Sequence, residues 1–385
     1  MKIELILDDC IKAMAAMPDG SVDAIVCDPP YGIGFMGKGW DHSVPSVEWG
    51  KQCLRVLKDG GHLIAFASTR TVHRLTATVE DAGFDIRDQI GWVYFSGFPK
   101  SMDISKAIDR AAGAEREVIG QSKYANKGRV MSGSQCDVGS SHLSMVTAPA
   151  TPAAKQWQGW GTALKPAIEP AVLARKPIKG TVANNVLKHG TGAINIDACR
   201  IAYGDPKWVG TSEKFKPTPR GTAPQPMSKG ENSNDIVVAH ANGRWPANLI
   251  AVPKPSRAER ERGCAGLTAM TGAEATNKPA STVKNFHPTV KPVELMRWLT
   301  ALVVPDGGTV LDPFMGSGTA GIAAILCGVN YIGIERDPDY FAIAEARVGH
   351  AKKYTGEWLN GASGERSEAE RNGQCSMFTM EQDHE

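Results

Sequence analysis

The feature that most constrains the fold is an alternation of short apolar runs with helix-length segments near both ends of the chain. Apolar runs of strand length occur at 3–7, 22–27, 62–67 and 90–95, with one further strand expected at 169–177. Segments with a helical pattern lie at 10–17, 46–58 and 69–83, and the alternation returns over 309–348. Strands that alternate with helices predict a doubly wound α/β fold around a mostly parallel sheet.

The stretches between these two halves have a different composition. Residues 115–165 and 200–285 are rich in Gly, Pro, Ser, Thr, Asn and Lys and carry few periodic apolar runs, so we expect irregular insertions there. The expected division is 1–114 (first half), 115–156 (irregular insertion), 157–180 (further core strand), 181–284 (basic insert), 285–350 (second half) and 351–385 (polar, disordered tail).

Charge is distributed unevenly along the chain. Residues 151–300 hold 21 basic and 10 acidic side chains, whereas residues 301–385 hold 6 and 13. A basic middle between acidic ends predicts contact with a polyanion, although a solvated lysine-rich surface gives the same pattern. Trp157, Trp160 and Trp245 lie near basic residues and are candidates either for stacking on bases or for packing.

Several classes of protein are disfavoured by the sequence. No run of 18 apolar residues occurs, so no membrane span is expected, and the N-terminus lacks the apolar region of a signal peptide. The eight cysteines form no CxxC pair and the nine histidines show no metal-ligand spacing, so we expect neither a disulfide framework nor a metal site. These features favour a cytoplasmic protein.

The first motif that suggests chemistry is Asp28-Pro29-Pro30-Tyr31, directly after the apolar run 22–27. Ligands of open α/β sheets bind at the carboxyl ends of the strands. The two prolines remove N–H donors and hold the backbone extended, which leaves carbonyls free to accept hydrogen bonds. With Asp28 as an anionic acceptor and Tyr31 as a flat surface, the motif suits an amino group on an aromatic ring.

The second motif is a glycine loop between an expected strand and helix. It runs Asp312-Pro313-Phe314-Met315-Gly316-Ser317-Gly318-Thr319. Glycines let a ligand approach the backbone, and the N-terminus of a helix offers free N–H groups. Glu335 follows at the end of the next apolar run, where a carboxylate can bind ribose hydroxyls. The pattern predicts a nucleoside-containing cofactor, and the lack of a third glycine at Rossmann spacing disfavours NAD.

Together these motifs resemble the permuted beta class of amino-group DNA methyltransferases, the N6-adenine and N4-cytosine family. DPPY resembles its catalytic motif, DPFMGSGT its S-adenosylmethionine motif and YIGIERDPDY its ribose-binding segment. The segment 287–292 (HPTVKP) resembles the motif before the cofactor loop, and LILDDC resembles an N-terminal Gly-Asp-Cys, with Asp8 in place of the glycine. The segment GWGTALKPAIEPAVLARKPI is similar to phage and prophage methylases.

The resemblance implies a Rossmann-like, circularly permuted methyltransferase fold with a target-recognition region at about 181–284. The implied catalytic residues are Asp28, Pro29, Pro30 and Tyr31. The implied S-adenosylmethionine-binding residues are Asp9, His287, Thr289, Lys291, Asp312, Pro313, Phe314, Gly316, Ser317, Gly318, Thr319, Glu335 and Asp337. Double-stranded DNA is the implied substrate, a homodimer is left open, and a bacterial or phage-infected cell is the expected setting.

Adenine N6 is the expected target, because serine in place of the catalytic aspartate is commoner among cytosine-N4 members of the family. Direct in-line transfer to a flipped-out base is the expected chemistry. The alternatives are cytosine-N4 methylation, an RNA or protein-amide substrate, and a DNA-binding protein without catalysis. Near the C-terminus, Gln374, Met377 and Phe378 resemble a bacterial sliding-clamp-binding pentapeptide.

Overall fold

The computed structural model describes residues 1–34, 39–94, 96–97, 101–121, 145–202, 243–271 and 282–360. The strands are β1 (Ile3–Leu7), β2 (Val22–Cys27), β3 (Leu57–Phe66), β4 (Asp85–Val93), β5 (Val118–Gln121), β6 (Met145–Thr147), β7 (Ile168–Arg175), β8 (Leu249–Ala251), β9 (Met270–Thr271), β10 (Thr282–Val283), β11 (Thr309–Asp312) and β12 (Asn330–Glu335). The helices are α1 (Cys10–Ala15), α2 (Val47–Val56), α3 (Val72–Asp81), α4 (Ile104–Ala111), α5 (Pro152–Gln156), α6 (Val182–His189), α7 (Arg257–Glu261), α8 (Val293–Val303), α9 (Thr319–Cys327), α10 (Pro338–Lys353) and α11 (Thr355–Asn360).

An eight-stranded sheet in the order β1-β12-β11-β2-β3-β7-β4-β8 forms the centre of the fold. Neighbouring strands run parallel except at β7, which is antiparallel to both β3 and β4. The α/β fold with a mostly parallel sheet is therefore confirmed. The strand expected at 169–177 is β7, and its reversed direction is the one departure from the parallel arrangement.

The central strand β2 shows why the sheet is covered on both faces. All six of its residues are buried. Ala24 and Val26 pack in an apolar cluster with residues of α8 and α9, whereas Ile25 and Cys27 pack with residues of α1, α2 and α3. Because side chains alternate across a strand, a continuous apolar run of this kind requires a helix layer on each side.

One buried acid links the two halves of the chain inside the sheet. Asp23 on β2 accepts a hydrogen bond from the backbone N–H of Thr309 on β11 at 2.8 Å. It also pairs with the ammonium of Lys58 at 2.6 Å. These partners satisfy a carboxylate that would otherwise be costly to bury.

Two strands begin earlier than the apolar pattern predicts. Strand β3 begins at Leu57, directly after α2, so the start expected at residue 62 was wrong and the helix expected to end at 58 ends at Val56. A register shift between β2 and β3 accommodates these extra residues. Strand β4 begins at Asp85 instead of 90, because its polar first residues pair with the end of β7.

Residues 95–167 and 270–282 form a second compact unit within the described parts of the chain. Asp109 of α4 is buried there and pairs with the Arg116 guanidinium at 2.5 Å. It also accepts hydrogen bonds from the N–H and hydroxyl of Thr151, at 3.0 and 2.8 Å. The prediction of a disordered tail at 351–385 was wrong for its first ten residues, because α10 runs to Lys353, α11 follows and Trp358 is buried. The rest of the tail, 361–385, and the parts 203–242 and 272–281 of the basic insert lie outside the described residues.

No helix in the described ranges is both long enough and apolar enough to cross a membrane.

Two glycines at the ends of α9 allow a matched test of the packing there. Both are left-handed, Gly318 at φ 76° and Gly328 at φ 71°. A Cβ on Gly318 would lie 2.9 Å from Val348 and 3.1 Å from the Ala344 Cα, whereas a Cβ on Gly328 would meet no atom of the described residues within 4 Å. We expect Gly328→Ala to cost about 1–2 kcal/mol from backbone conformation, and Gly318→Ala to cost a further ~1–3 kcal/mol from overpacking. Urea unfolding of the ligand-free protein measures both, and equal losses would contradict this account.

Candidate active site

A cavity of about 420 Å³ opens at the carboxyl ends of β1, β2, β11 and β12. This is the edge at which open α/β sheets bind ligands, and the volume suits a small molecule. Its wall includes six carboxylates, those of Asp8, Asp9, Asp28, Asp312, Glu335 and Asp337.

Twelve of the thirteen residues expected to bind the cofactor line this cavity. They are Asp9, His287, Thr289, Lys291, Asp312, Pro313, Phe314, Gly316, Ser317, Thr319, Glu335 and Asp337. Gly318 is absent from the wall. A Cβ there would meet Val348 and Ala344 of α10, so packing against this helix requires the glycine. Of the DPPY motif, Asp28 and Pro30 line the cavity, whereas Pro29 and Tyr31 do not.

The Glu335 carboxylate ties the end of β12 to the glycine loop. One oxygen accepts a hydrogen bond from the N–H of Gly316 at 2.8 Å. The other accepts from the N–H groups of Arg336 and Asp337, at 3.0 and 2.9 Å. Partial burial raises the pKa of Glu335 although these bonds oppose the shift. The carboxylate expected to bind ribose therefore also fixes the loop that forms the cavity wall.

Asp312 at the end of β11 carries a strongly perturbed carboxyl group of the cavity wall. Its side chain is buried and accepts a hydrogen bond from the Phe314 N–H at 3.0 Å. Burial raises the pKa of Asp312 to about 8, and the charges of Asp28 and Glu335 act in the same direction. A cation placed in the cavity would offset this repulsion.

A buried arginine supports the glycine loop from behind. The Arg347 guanidinium donates to the Ser317 carbonyl at 2.6 Å, to the Ser317 hydroxyl at 2.9 Å and to the Thr319 hydroxyl at 3.2 Å. Burial lowers the pKa of Arg347 to about 10, which leaves it charged at neutral pH. The sequence gives no sign of this role, because one arginine within a helix does not reveal that it binds Ser317 and Thr319 about thirty residues earlier in the chain.

His287 is a partly buried, neutral side chain in the cavity wall. Burial lowers the pKa of His287 to about 3, with the charges of Arg347 and Lys291 acting in the same direction. Its Nδ1 has no hydrogen-bond partner among the described residues. A buried polar atom of this kind at a cavity is available to a ligand.

Asp28, directly after β2, is the centre of a polar cluster. Its Oδ2 lies 2.5 Å from the Lys291 ammonium, and its Oδ1 accepts a hydrogen bond from the Tyr31 hydroxyl at 2.9 Å. The Tyr31 hydroxyl also lies 3.1 Å from Glu169 Oε2, and the Lys291 ammonium lies 3.4 Å from the same oxygen. Lys291, expected from sequence only as a cofactor ligand, is thus the counterion of the proposed catalytic acid.

Burial and charge act against each other in this cluster. Burial raises the pKa of Asp28, and Lys291 only partly opposes the shift. Burial would lower the pKa of Lys291, but the charges of Asp28 and Glu169 raise it. For Glu169, the charges of Lys291 and Lys254 outweigh burial and lower the pKa. The Lys291 ammonium therefore stays charged between two carboxyl groups.

An acid that the sequence did not mark as functional fixes the backbone of the loop after DPPY. Asp41 is buried and accepts hydrogen bonds from the N–H groups of Tyr31 (2.6 Å), Gly32 (2.9 Å) and Ile33 (3.3 Å). Gly32 is left-handed, at φ 67°, and a Cβ there would lie 2.8 Å from the backbone nitrogen of Val44. The Asp41 carboxylate therefore fixes the backbone of this loop by accepting hydrogen bonds from three consecutive N–H groups.

The three tryptophans noted from sequence lie at the surface. Trp157 and Trp160 are 41% and 60% exposed, with ring centres 5.0 Å apart. Trp245 is 63% exposed, and the Arg200 guanidinium lies 5.4 Å from its ring. Packing in a core is therefore excluded for these rings. Gln374, Met377 and Phe378 lie outside the described residues.

The cavity fits S-adenosylmethionine, the cofactor that the sequence resemblance implies. The cofactor carries a sulfonium and an ammonium cation, which match a wall rich in carboxylates. The unpartnered Nδ1 of His287 is a polar atom that a ligand can satisfy, and a bound cation would lower the raised pKa of Asp312. Neutral imidazole accepts a hydrogen bond and does not repel a cation.

Comparison with known proteins supports the same conclusion. The DNA methylase family of N6/N4 type matches residues 22–346. Type II methyltransferase M.HindIII of Haemophilus influenzae is 24% identical, over 89% of this chain and 94% of the relative. Type II methyltransferase M.HinfI of Haemophilus influenzae is 37% identical over 94 residues, which are 24% of this chain and 26% of the relative.

The crystal structure of the M1.HpyAVI–SAM complex aligns with a TM-score of 0.44 at 18% identity, over 90% of this chain and 98% of that one. With a family match that extends from β2 into α10, the chain belongs to the N6/N4 family of DNA methylases.

Proposed function

We propose that the chain is a site-specific methyltransferase that transfers a methyl group to the exocyclic N6 of adenine in double-stranded DNA. The observation that carries the proposal is the placement of Asp28 and Pro30 on the wall of the same cavity as the glycine loop. An amino group bound by Asp28 would therefore lie beside the cofactor. The proposed catalytic residues remain Asp28, Pro29, Pro30 and Tyr31.

The residues of the chain would act by binding and positioning. An aromatic amine is a poor nucleophile because its lone pair is delocalised into the ring. If Asp28 and a carbonyl of the proline turn accept its two N–H groups, the nitrogen becomes more tetrahedral and its lone pair points outward. When bound, S-adenosylmethionine supplies an electrophilic methyl group on sulfur. Holding the two reactants in line removes most of the entropic cost of their meeting.

The base must reach this cavity from a DNA duplex. Enzymes that modify a base inside a duplex rotate the nucleotide out of the stack into a pocket. Tyr31 does not line the cavity, but its ring is carried beside Asp28 and would offer an aromatic surface to the base as it reaches that residue. Asp41 fixes the backbone that carries the ring. The proposed recognition region is the basic insert, 181–284.

Cytosine N4 is the alternative target, since it presents the same kind of amino group. Asp28 favours adenine, because serine at this position is commoner in cytosine-N4 members of the family. The homodimer and the sliding-clamp contact through Gln374, Met377 and Phe378 stay predictions.

The target base is tested by digesting treated DNA to nucleosides and identifying the methylated one, with Asp28→Asn as the key variant. We expect N6-methyladenine from the wild type. Loss of the anionic acceptor should reduce methyl transfer by at least about 100-fold, as when one preorganised charge-stabilising group is removed. Cofactor affinity should change little. Asp81→Asn, on the exposed end of α3, is the matched control. N4-methylcytosine alone as product, or near-normal turnover by Asp28→Asn, would refute the proposal.

The cofactor site is tested with Glu335→Gln. The amide cannot accept at both positions, so the bonds to Gly316, Arg336 and Asp337 cannot all persist. Charge-assisted bonds of this kind contribute about 1.5–3 kcal/mol, so we expect roughly 10- to 100-fold weaker S-adenosylmethionine binding by calorimetry. Glu345→Gln on the exposed face of α10 is the control. Equal S-adenosylmethionine affinities in the two variants would show that Glu335 is not part of the cofactor site.

The basic character of 151–300 predicts a steep salt dependence of DNA binding. Each neutralised phosphate releases counterions, so the binding constant should fall by about 10³–10⁵ between 50 and 200 mM salt if six to ten phosphates are contacted. Fluorescence anisotropy with labelled duplex at several salt concentrations measures this slope. A flat response would show that the basic side chains face away from DNA.

A further inference from the structure

We propose that Glu169 is a positioning residue of methyl transfer. When the target amino group enters and binds Asp28, the Lys291 ammonium moves from Asp28 to Glu169 and pairs with that carboxylate instead. The inference rests on the proposed function, in that the substrate is an amino group of a DNA base. It holds equally for adenine and for cytosine.

Both oxygens of Asp28 already have partners in the structure. Lys291 donates to Oδ2 at 2.5 Å and Tyr31 donates to Oδ1 at 2.9 Å. The Lys291 side chain is only 6% exposed, and its ammonium lies 4.9 Å from the ring centre of Phe66 and 5.4 Å from that of Tyr31. An amine that donates to Asp28 among aromatic rings has the contacts that the target amino group requires. Lys291 thus occupies the position on Asp28 that the target amino group would take.

A neutral aromatic amine cannot easily displace such a partner. A charged ammonium forms a shorter and stronger bond to a carboxylate than a neutral N–H does. Moving a buried ammonium away from a counterion, with no other acid to receive it, would leave two uncompensated charges, which costs several kcal/mol. Entry of the base is therefore feasible only if Lys291 has a second anionic partner close by.

Glu169 meets this requirement. Its Oε2 lies 3.4 Å from the Lys291 ammonium, so a small side-chain movement exchanges one carboxylate for the other. The Tyr31 hydroxyl, 3.1 Å from the same oxygen, can turn its single proton from Asp28 to Glu169 in the same movement. Lys254, 3.6 Å from Oε1, balances part of the Glu169 charge.

The exchange also changes Asp28 in the direction that catalysis needs. Among the described residues, the titratable groups around Asp28 include Cys27, Lys291, Tyr31, Glu169 and, at the end of β11, Asp312. Once Lys291 moves to Glu169, burial raises the pKa of Asp28 with less opposition. In the step itself the amino nitrogen forms the new N–C bond, the electron pair of the broken C–S bond stays on sulfur, and one N–H proton passes to Asp28. A more basic carboxylate accepts that proton more readily.

The test is a double-mutant cycle on single-turnover methyl transfer from S-adenosylmethionine to duplex DNA, with E169Q, K291M and the E169Q/K291M double variant. E169Q keeps the size of the side chain and removes its charge. With Lys291 present, we expect E169Q to slow methyl transfer roughly 10- to 100-fold. In the K291M background the same change should slow transfer less than about threefold. Such non-additivity is expected of two groups that act through one another. In K291M the acidic limb of the rate profile should move to higher pH, because Asp28 has lost its counterion.

Control measurements separate a folding defect from the proposed role. E80Q, on the exposed face of α3, should match the wild type. E169D keeps the charge and should be faster than E169Q, and each variant is checked for cofactor affinity by calorimetry. Equal slowing by E169Q in both backgrounds, or no slowing in either, would overturn the proposal. Wild type that yields neither N6-methyladenine nor N4-methylcytosine would instead overturn the proposed function itself.

Discussion

The candidate site depends on the pairing of β11 with β2, two strands from opposite ends of the sequence. Val310 lies opposite Ala24 and Leu311 opposite Ile25 in a parallel register. Since parallel strands end at the same edge, this register brings the catalytic and cofactor motifs together. The charge of Asp28 is close enough to Asp312 to contribute to the raised pKa of that residue. Without this pairing the chain would hold two half-sites far apart.

That proximity concentrates negative charge, and the surrounding structure stabilises it in two ways. Glu335 and Asp41 are stabilised by backbone N–H groups, which also fix the loops that carry the motifs. Asp28 is paired with a buried cation, Lys291. Buried charges persist only where hydrogen bonds or opposite charges compensate them. The result is a cavity whose acids are held in place and still favour a cationic ligand.

Sequence alone predicted those parts of the molecule whose signal is local. Strand β2 was placed at its observed bounds, because a mainly apolar run followed directly by Asp-Pro-Pro leaves little ambiguity. The glycine loop was recognised for the same reason. Glu169 and Arg347 were missed, since each acts on residues far away in the chain and is locally an ordinary charged residue. Asp41 lies only eight to ten residues from its partners, but a single acid in a loop gives no sign of the N–H groups that it binds. The early starts of β3 and β4 were missed because partner strands, and not their own polar sequence, make those residues extended.

The reversed direction of β7 explains how Glu169 reaches this edge of the sheet. A parallel strand contributes side chains to the site only where it ends, as β2 does with Asp28. Strand β7 runs the other way, so its first residues lie at the carboxyl edge, where Glu169 pairs with Trp92 near the end of β4. On its other side Phe66, the end of β3, pairs with Ala171. The antiparallel strand thus begins where its neighbours finish, and it places a second carboxylate within reach of Lys291 without any additional loop.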